Sequence, residues 1–95
     1  MENQKTPIKG YRDLSQPEID LINEIKAHGE ALEVLTQKVR DHVGNQYQTA
    51  FDNNDQEEDK RLTQAQPDRW LNIGITNLQQ GLMALTRTVA QSTNF

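Results

Sequence analysis

Residues 15–26 read Ser15-Gln16-Pro17-Glu18-Ile19-Asp20-Leu21-Ile22-Asn23-Glu24-Ile25-Lys26, and this stretch decides the fold. Ser15 is an N-cap residue and Glu18 follows three positions later. That is the spacing of a capping box, in which hydroxyl and carboxylate each satisfy a backbone N–H at the helix start. Pro17 is tolerated in the first turn, where its missing N–H has no partner to lose. Leu14 and Ile19 occupy the positions of a hydrophobic staple. Further along, Ile22, Ile25, Leu32, Leu35 and Val39 recur at the spacing of one buried helical face. The pattern predicts a helix from about residue 15 to about residue 43. Gly29, in its middle, costs roughly 1 kcal/mol against alanine, and a glycine so placed is often where another backbone or a ligand comes close.

A second helix is predicted over about residues 67–90. Pro67 suits its first turn and Asp68 the positive end of its dipole. Leu71, Ile75, Leu78, Leu82, Leu85 and Val89 form a heptad-like seam. Beside it runs a stripe of Trp70, Gly74, Asn77, Gly81, Ala84 and Thr88, whose small members suit close approach by another helix. Residues 1–14 read as an irregular arm punctuated by Pro7 and Gly10. Residues 44–66 read as a polar linker enclosing a short acidic-then-basic helix around 55–64, and residues 91–95 as a tail. The expected fold is all-α in a single domain: two long antiparallel helices, an arm and a short connecting helix.

Ninety-five residues, 34% of them hydrophobic, make a marginal core on their own. There is no cysteine, hence no disulfide framework. Small folds without such staples gain stability by self-association, so a homo-oligomer is expected. The net charge of −4 argues against DNA or RNA polymers as partners, since these require a broad basic face. It leaves room for a small anionic ligand met by a few convergent cations. No apolar run reaches the roughly 18 residues of a membrane span, and residues 1–7 do not read as a signal peptide. The absence of cysteine is compatible with a cytosolic location.

Catalytic chemistry finds little support. His28 and His42 stand fourteen residues apart on one predicted helix, too far to share a metal. The carboxylates form no pair arranged for hydrolysis, and there is no phosphate-cradling glycine loop. Tyr11 is either an arm residue packed on the helices or a stacking platform for a nucleobase. Lys26, flanked by Ile22 and Ile25, either is simply solvated or lays its stem along the apolar edge and presents its ammonium. Arg69 either is unengaged or offers a guanidinium to phosphate near a helix N-terminus. The residues alone leave open a ligand-binding module and a helical protein–protein interaction module with no nucleotide ligand.

Two blocks carry a resemblance. The first is Lys9-Gly10-Tyr11-Arg12-Asp13-Leu14-Ser15 followed by Glu18 to Lys26. The second is Asp68-Arg69-Trp70-Leu71-Asn72-Ile73-Gly74, with Leu78-Gln79-Gln80-Gly81-Leu82-Met83-Ala84-Leu85-Thr86-Arg87 and the Gln91–Phe95 tail. Together they cover roughly half of the chain, and the whole resembles the phage anti-CBASS sponge family. That resemblance implies a helical homohexamer in the host bacterial cytoplasm, without enzyme activity or cofactor. It would sequester cyclic oligonucleotide signals such as cyclic GMP-AMP uncleaved. Related proteins hold NAD-derived Thoeris signals.

The resemblance points to Tyr11 and Lys26 as cyclic dinucleotide ligands, with Arg12, Ser92 and Thr93 as further candidates. A two-fold axis would present Tyr11 and Lys26 twice, matching two bases and two phosphates. For cyclic trinucleotides on a three-fold axis the candidate is Arg69, with His28 as companion where a smaller hydroxyl residue is expected.

Overall fold

The computed structural model describes residues 12–93. Three helices follow in order: α1 (Gln16–Asp52), α2 (Gln56–Ala65) and α3 (Pro67–Ala90). No strand occurs among the described residues. α1 and α3 pack as an antiparallel hairpin, and α2 folds back on the far end of α1. The molecule is a rod of 63 × 25 × 18 Å.

The start of α1 is the capping box read from Ser15 and Glu18. The Glu18 amide donates to Ser15 Oγ at 3.4 Å, and the Ser15 amide donates to Glu18 Oε1 at 2.8 Å. The helix does not stop near residue 43. It runs to Asp52, so the first nine residues of the expected polar linker, 44–52, are helical. The reason lies in Val43 and Ala50, both buried. They extend the inner face by two turns, to where α2 folds back and buries Leu62. Gly44 sits inside this extension with open space around it and does not break it.

The end of α1 is a Schellman motif. Asn54 takes a left-handed φ of 51°. Its amide donates to the Phe51 carbonyl at 3.1 Å, and that of Asp55 donates to the Ala50 carbonyl at 2.8 Å. The Asp55 carboxylate then caps α2 by accepting from the Glu58 amide at 3.0 Å. Gln66, also left-handed at φ 54°, ends α2 and begins α3 in one residue, with Pro67 starting the next helix.

The hairpin core is thin, and among the described residues no large side chain is fully enclosed. Two expected seams are corrected here. Leu35 and Val39, read as part of the buried face of α1, are 52% and 42% exposed. The face turned toward α3 instead runs Ile22, Ile25, Gly29, Leu32 and Thr36. Gly29 faces the Leu82 side chain, 3.3 Å from where a Cβ on residue 29 would stand, and Leu35 lies on the exposed flank. On α3, Leu71, Ile75, Leu82 and Val89 are half-buried, whereas Leu78 and Leu85 of the same expected seam are exposed. The stripe of small residues is open: nothing lies within 4 Å of where a Cβ would stand on Gly74 or Gly81.

Candidate functional site

The open end of the hairpin is held by one arginine. Arg12 reaches the last turn of α3 and donates from Nε to the Ala90 carbonyl at 3.1 Å and from Nη2 to the Val89 carbonyl at 2.9 Å. These carbonyls belong to the helix end, where no amide of the same helix satisfies them and where the dipole favours a cation. The same guanidinium forks onto Glu18, Nη2 to Oε2 at 2.7 Å and Nη1 to Oε1 at 3.2 Å. Glu18 thus accepts from Arg12 and from the Ser15 amide together. The Arg12 bonds come first and the Ser15 amide second in holding its carboxyl far below the ordinary carboxylate range, at about 2. Arg12 is raised in turn, chiefly by its bonds to Glu18.

This geometry bears on the residues singled out in the sequence. Arg12 spends at least four N–H···O contacts inside the chain, so it serves first as a tie between arm, α1 and α3. Ser92, half-buried, and Thr93, exposed, follow α3 directly beside this tie. Lys26 is exposed on α1, eight residues beyond Glu18, about 12 Å along the helix at ~1.5 Å per residue. Tyr11 lies outside the described residues, as do Asn94 and Phe95 of the tail.

Arg69 stands at the other end of α3. Its guanidinium lies over the Trp70 ring, 5.0 Å from the centroid, a cation–π arrangement. Most of the length of α3, roughly 30 Å, separates it from Arg12. His28 is exposed beside Glu24, Nε2 to Oε2 3.9 Å, and neighbours Gly29, whose opposite number is Leu82. Within one chain the fold therefore keeps Arg69 and His28 apart.

The residue that sequence reading did not single out is Glu18. It was legible as a capping carboxylate, and the nearby Arg12 was the one available signal for its second role. Among the described residues no group of His, Cys, Asp or Glu side chains is arranged to hold a metal ion. Among the described residues no helix is long and apolar enough to cross a membrane.

An elongated antiparallel hairpin, with its open end tied by an arginine and its flanks left apolar, defines a small helical-hairpin protein. The chain belongs to the Acb2/Tad1 family, since the family model described as "Acb2/Tad1, hairpin domain" matches residues 3–90. It is similar to the Anti-CBASS protein 2 of Pseudomonas phage JBD67, being 35% identical over 104 aligned positions that span 96% of each chain.

Proposed function

We propose that this protein acts against CBASS immunity in an infected bacterium by binding cyclic oligonucleotide messengers and holding them uncleaved. The observation that carries the reading is the identity to Anti-CBASS protein 2 along nearly the whole of both chains. The chemistry of the open end supports it. Lys26 offers an exposed ammonium on the leg that Arg12 ties to the arm. Ser92 and Thr93 add hydroxyls at the end of α3. Tyr11 supplies the ring on which a base stacks, worth roughly 1–3 kcal/mol per base.

Cyclic GMP-AMP carries two bases and two phosphates, so the complete site takes Tyr11 and Lys26 from each of two protomers. The large apolar side chains left exposed, Leu35, Val39, Met83 and Leu85 among them, support self-association, and a homohexamer is the assembly we propose. Arg69, far from this end, is proposed for a separate cyclic trinucleotide site completed by His28 of another protomer. Enzyme activity is no part of the proposal, and the site of action is the host cytoplasm.

Titration calorimetry with cyclic GMP-AMP, followed by heat release and chromatography of the ligand, tests the reading. Saturable binding with the ligand recovered intact is expected. Recovery of a cleaved product would replace sequestration by catalysis. Absence of binding to cyclic GMP-AMP, to a cyclic trinucleotide and to an NAD-derived signal would favour an interaction module.

A further inference from the structure

We infer that Trp70 is a positioning residue for Arg69, its indole seating the guanidinium for the phosphate of a cyclic trinucleotide. The inference rests on the trinucleotide site proposed above, while the contact itself stands independently of it. The guanidinium carbon of Arg69 lies 5.0 Å from the centroid of the Trp70 ring. Helix geometry does not bring these two side chains together. Neighbours at i and i+1 point about 100° apart around a helix, so the arginine has to fold back over the indole. The indole in turn has a fixed base. The Trp70 amide donates to the Gln66 carbonyl at 3.3 Å, closing the first turn of α3.

Arg12 and Arg61 behave differently. Each is spent on a carboxylate, Arg12 on Glu18 and Arg61 on Glu58. Asp68 adjoins Arg69 in sequence, yet among the described residues no ion pair joins Arg69 to a carboxylate. Its N–H donors keep their capacity for an anionic oxygen. A guanidinium that moves freely in solvent loses rotamer freedom when it takes up a phosphate. One already seated on a ring has given up part of that freedom on folding, so less is lost on binding. Trp70 is 59% exposed, so the pair stands at the surface. Leu71 and Ile75, both half-buried, carry the packing beside it. The indole is therefore better placed to serve Arg69 than to fill the core.

Trp70 is the single tryptophan of the chain, so its fluorescence reports on the contact directly. The first measurement compares the emission of ligand-free wild type with that of Arg69→Ala. The second is calorimetry on the full chain, with cyclic tri-AMP as the trinucleotide probe and cyclic GMP-AMP as the dinucleotide. Two variants enter it. Trp70→Leu keeps apolar bulk and removes the ring, whereas Trp70→Tyr keeps an aromatic face for the cation.

An exposed cation–π contact corresponds to about a two- to five-fold change per guanidinium. Three protomers around one cyclic trinucleotide multiply this to about ten-fold or more. In Trp70→Leu the Kd for cyclic tri-AMP rises by that factor, and the Kd for cyclic GMP-AMP keeps its wild-type value. Trp70→Tyr recovers most of the loss, and the emission of Arg69→Ala differs from wild type. Unchanged emission overturns the contact and the inference with it. A wild-type Kd for cyclic tri-AMP in Trp70→Leu overturns the positioning role, as does a Trp70→Tyr variant no better than Trp70→Leu. Weakening of both ligands in Trp70→Leu shows a merely structural residue and overturns it too. Wild-type protein that binds no cyclic tri-AMP, or Arg69→Ala that binds it unchanged, defeats the trinucleotide site and the positioning role together. The emission data still decide whether the indole holds the guanidinium.

Discussion

Gly29 of α1 faces the Leu82 side chain of α3 across the hairpin. A Cβ on residue 29 would lie 3.3 Å from Leu82 Cδ1. The neighbour is the end of a flexible side chain, beside a groove of about 240 Å³ between Leu32, Ile75 and Leu78, so it has somewhere to move. Replacing glycine inside a helix by alanine gains roughly 1 kcal/mol, more than a shift of a few tenths of an ångström costs. Gly29→Ala is expected to raise the thermal midpoint slightly. Gly29→Ile, which cannot be accommodated by so small a shift, is expected to lower it by several degrees. Melting followed by circular dichroism distinguishes the two.

The Glu18 carboxyl is held at about 2 against an ordinary 4.5. A carboxyl whose folded value is depressed stabilises the folded state above its ordinary range and loses that contribution as the pH falls. The stability difference between wild type and Glu18→Gln should therefore be full above pH 4.5 and shrink toward zero as the pH approaches about 2. Chemical denaturation of both proteins across that window measures it. A difference that stays constant would mean the fork contributes nothing through its charge.

Gln66 carries a left-handed backbone, φ 54° and ψ 54°, between two helices that share it. A side chain in that region costs about 1 kcal/mol or more, partly offset by the unfolded-state freedom that glycine adds. Gln66→Gly is expected to stabilise the protein by a few tenths of a kcal/mol to about 1 kcal/mol. Asn54→Gly should gain less, because asparagine tolerates the same region better. Urea midpoints at constant slope supply the comparison.

Leu35 and Leu85 are 52% and 54% exposed. If these flanks are covered by other copies, charging them must break the assembly while the hairpin survives. We expect the double variant Leu35→Lys, Leu85→Lys to sediment as a smaller species with helical content per residue retained. A wild-type chain that already sediments as a monomer would remove the hexamer from the proposal.

For the ligand sites, Tyr11→Ala and Lys26→Ala should each weaken cyclic dinucleotide binding by about ten-fold or more, from one lost stacking or charge contact per protomer, without dissociating the oligomer. Arg69→Ala should leave dinucleotide affinity intact and weaken cyclic trinucleotide binding. Calorimetry with both ligands on all three variants decides it. Parallel loss of both ligands in Arg69→Ala would show that the two sites are not separate.

Helix starts were legible wherever the chemistry is local. Ser15 and Glu18 announce α1 because the two groups that satisfy each other stand three residues apart. Pro67 and Asp68 announce α3 for equally local reasons. The end of α1 was not legible, because a run of asparagine and glutamine reads as linker until Leu62 of α2 arrives to bury the surface beside Val43 and Ala50. The rotation of α1 was not legible either. Leu35 and Val39 fit an apolar stripe as well as Gly29 and Thr36 fit the real one, and the choice was made by packing against the opposite helix. At the candidate site, Lys26 and Arg69 were visible as cations of a recognisable pattern. The role of Glu18 was hidden, since Arg12 takes two of its acceptors from carbonyls 77 and 78 positions away.

By itself, then, the sequence determined that this protein is helical, where its long helices begin, and which cations and rings it has to offer. Caps, prolines and apolar periods act within a few residues, and their meaning survives without a partner. The tertiary structure decided which face of α1 is inner, how far α1 extends, and that Arg12 ties the start of α1 to the end of α3. Each of those depends on a group contributed by another helix, and a contact between distant residues leaves no mark on the spacing of either.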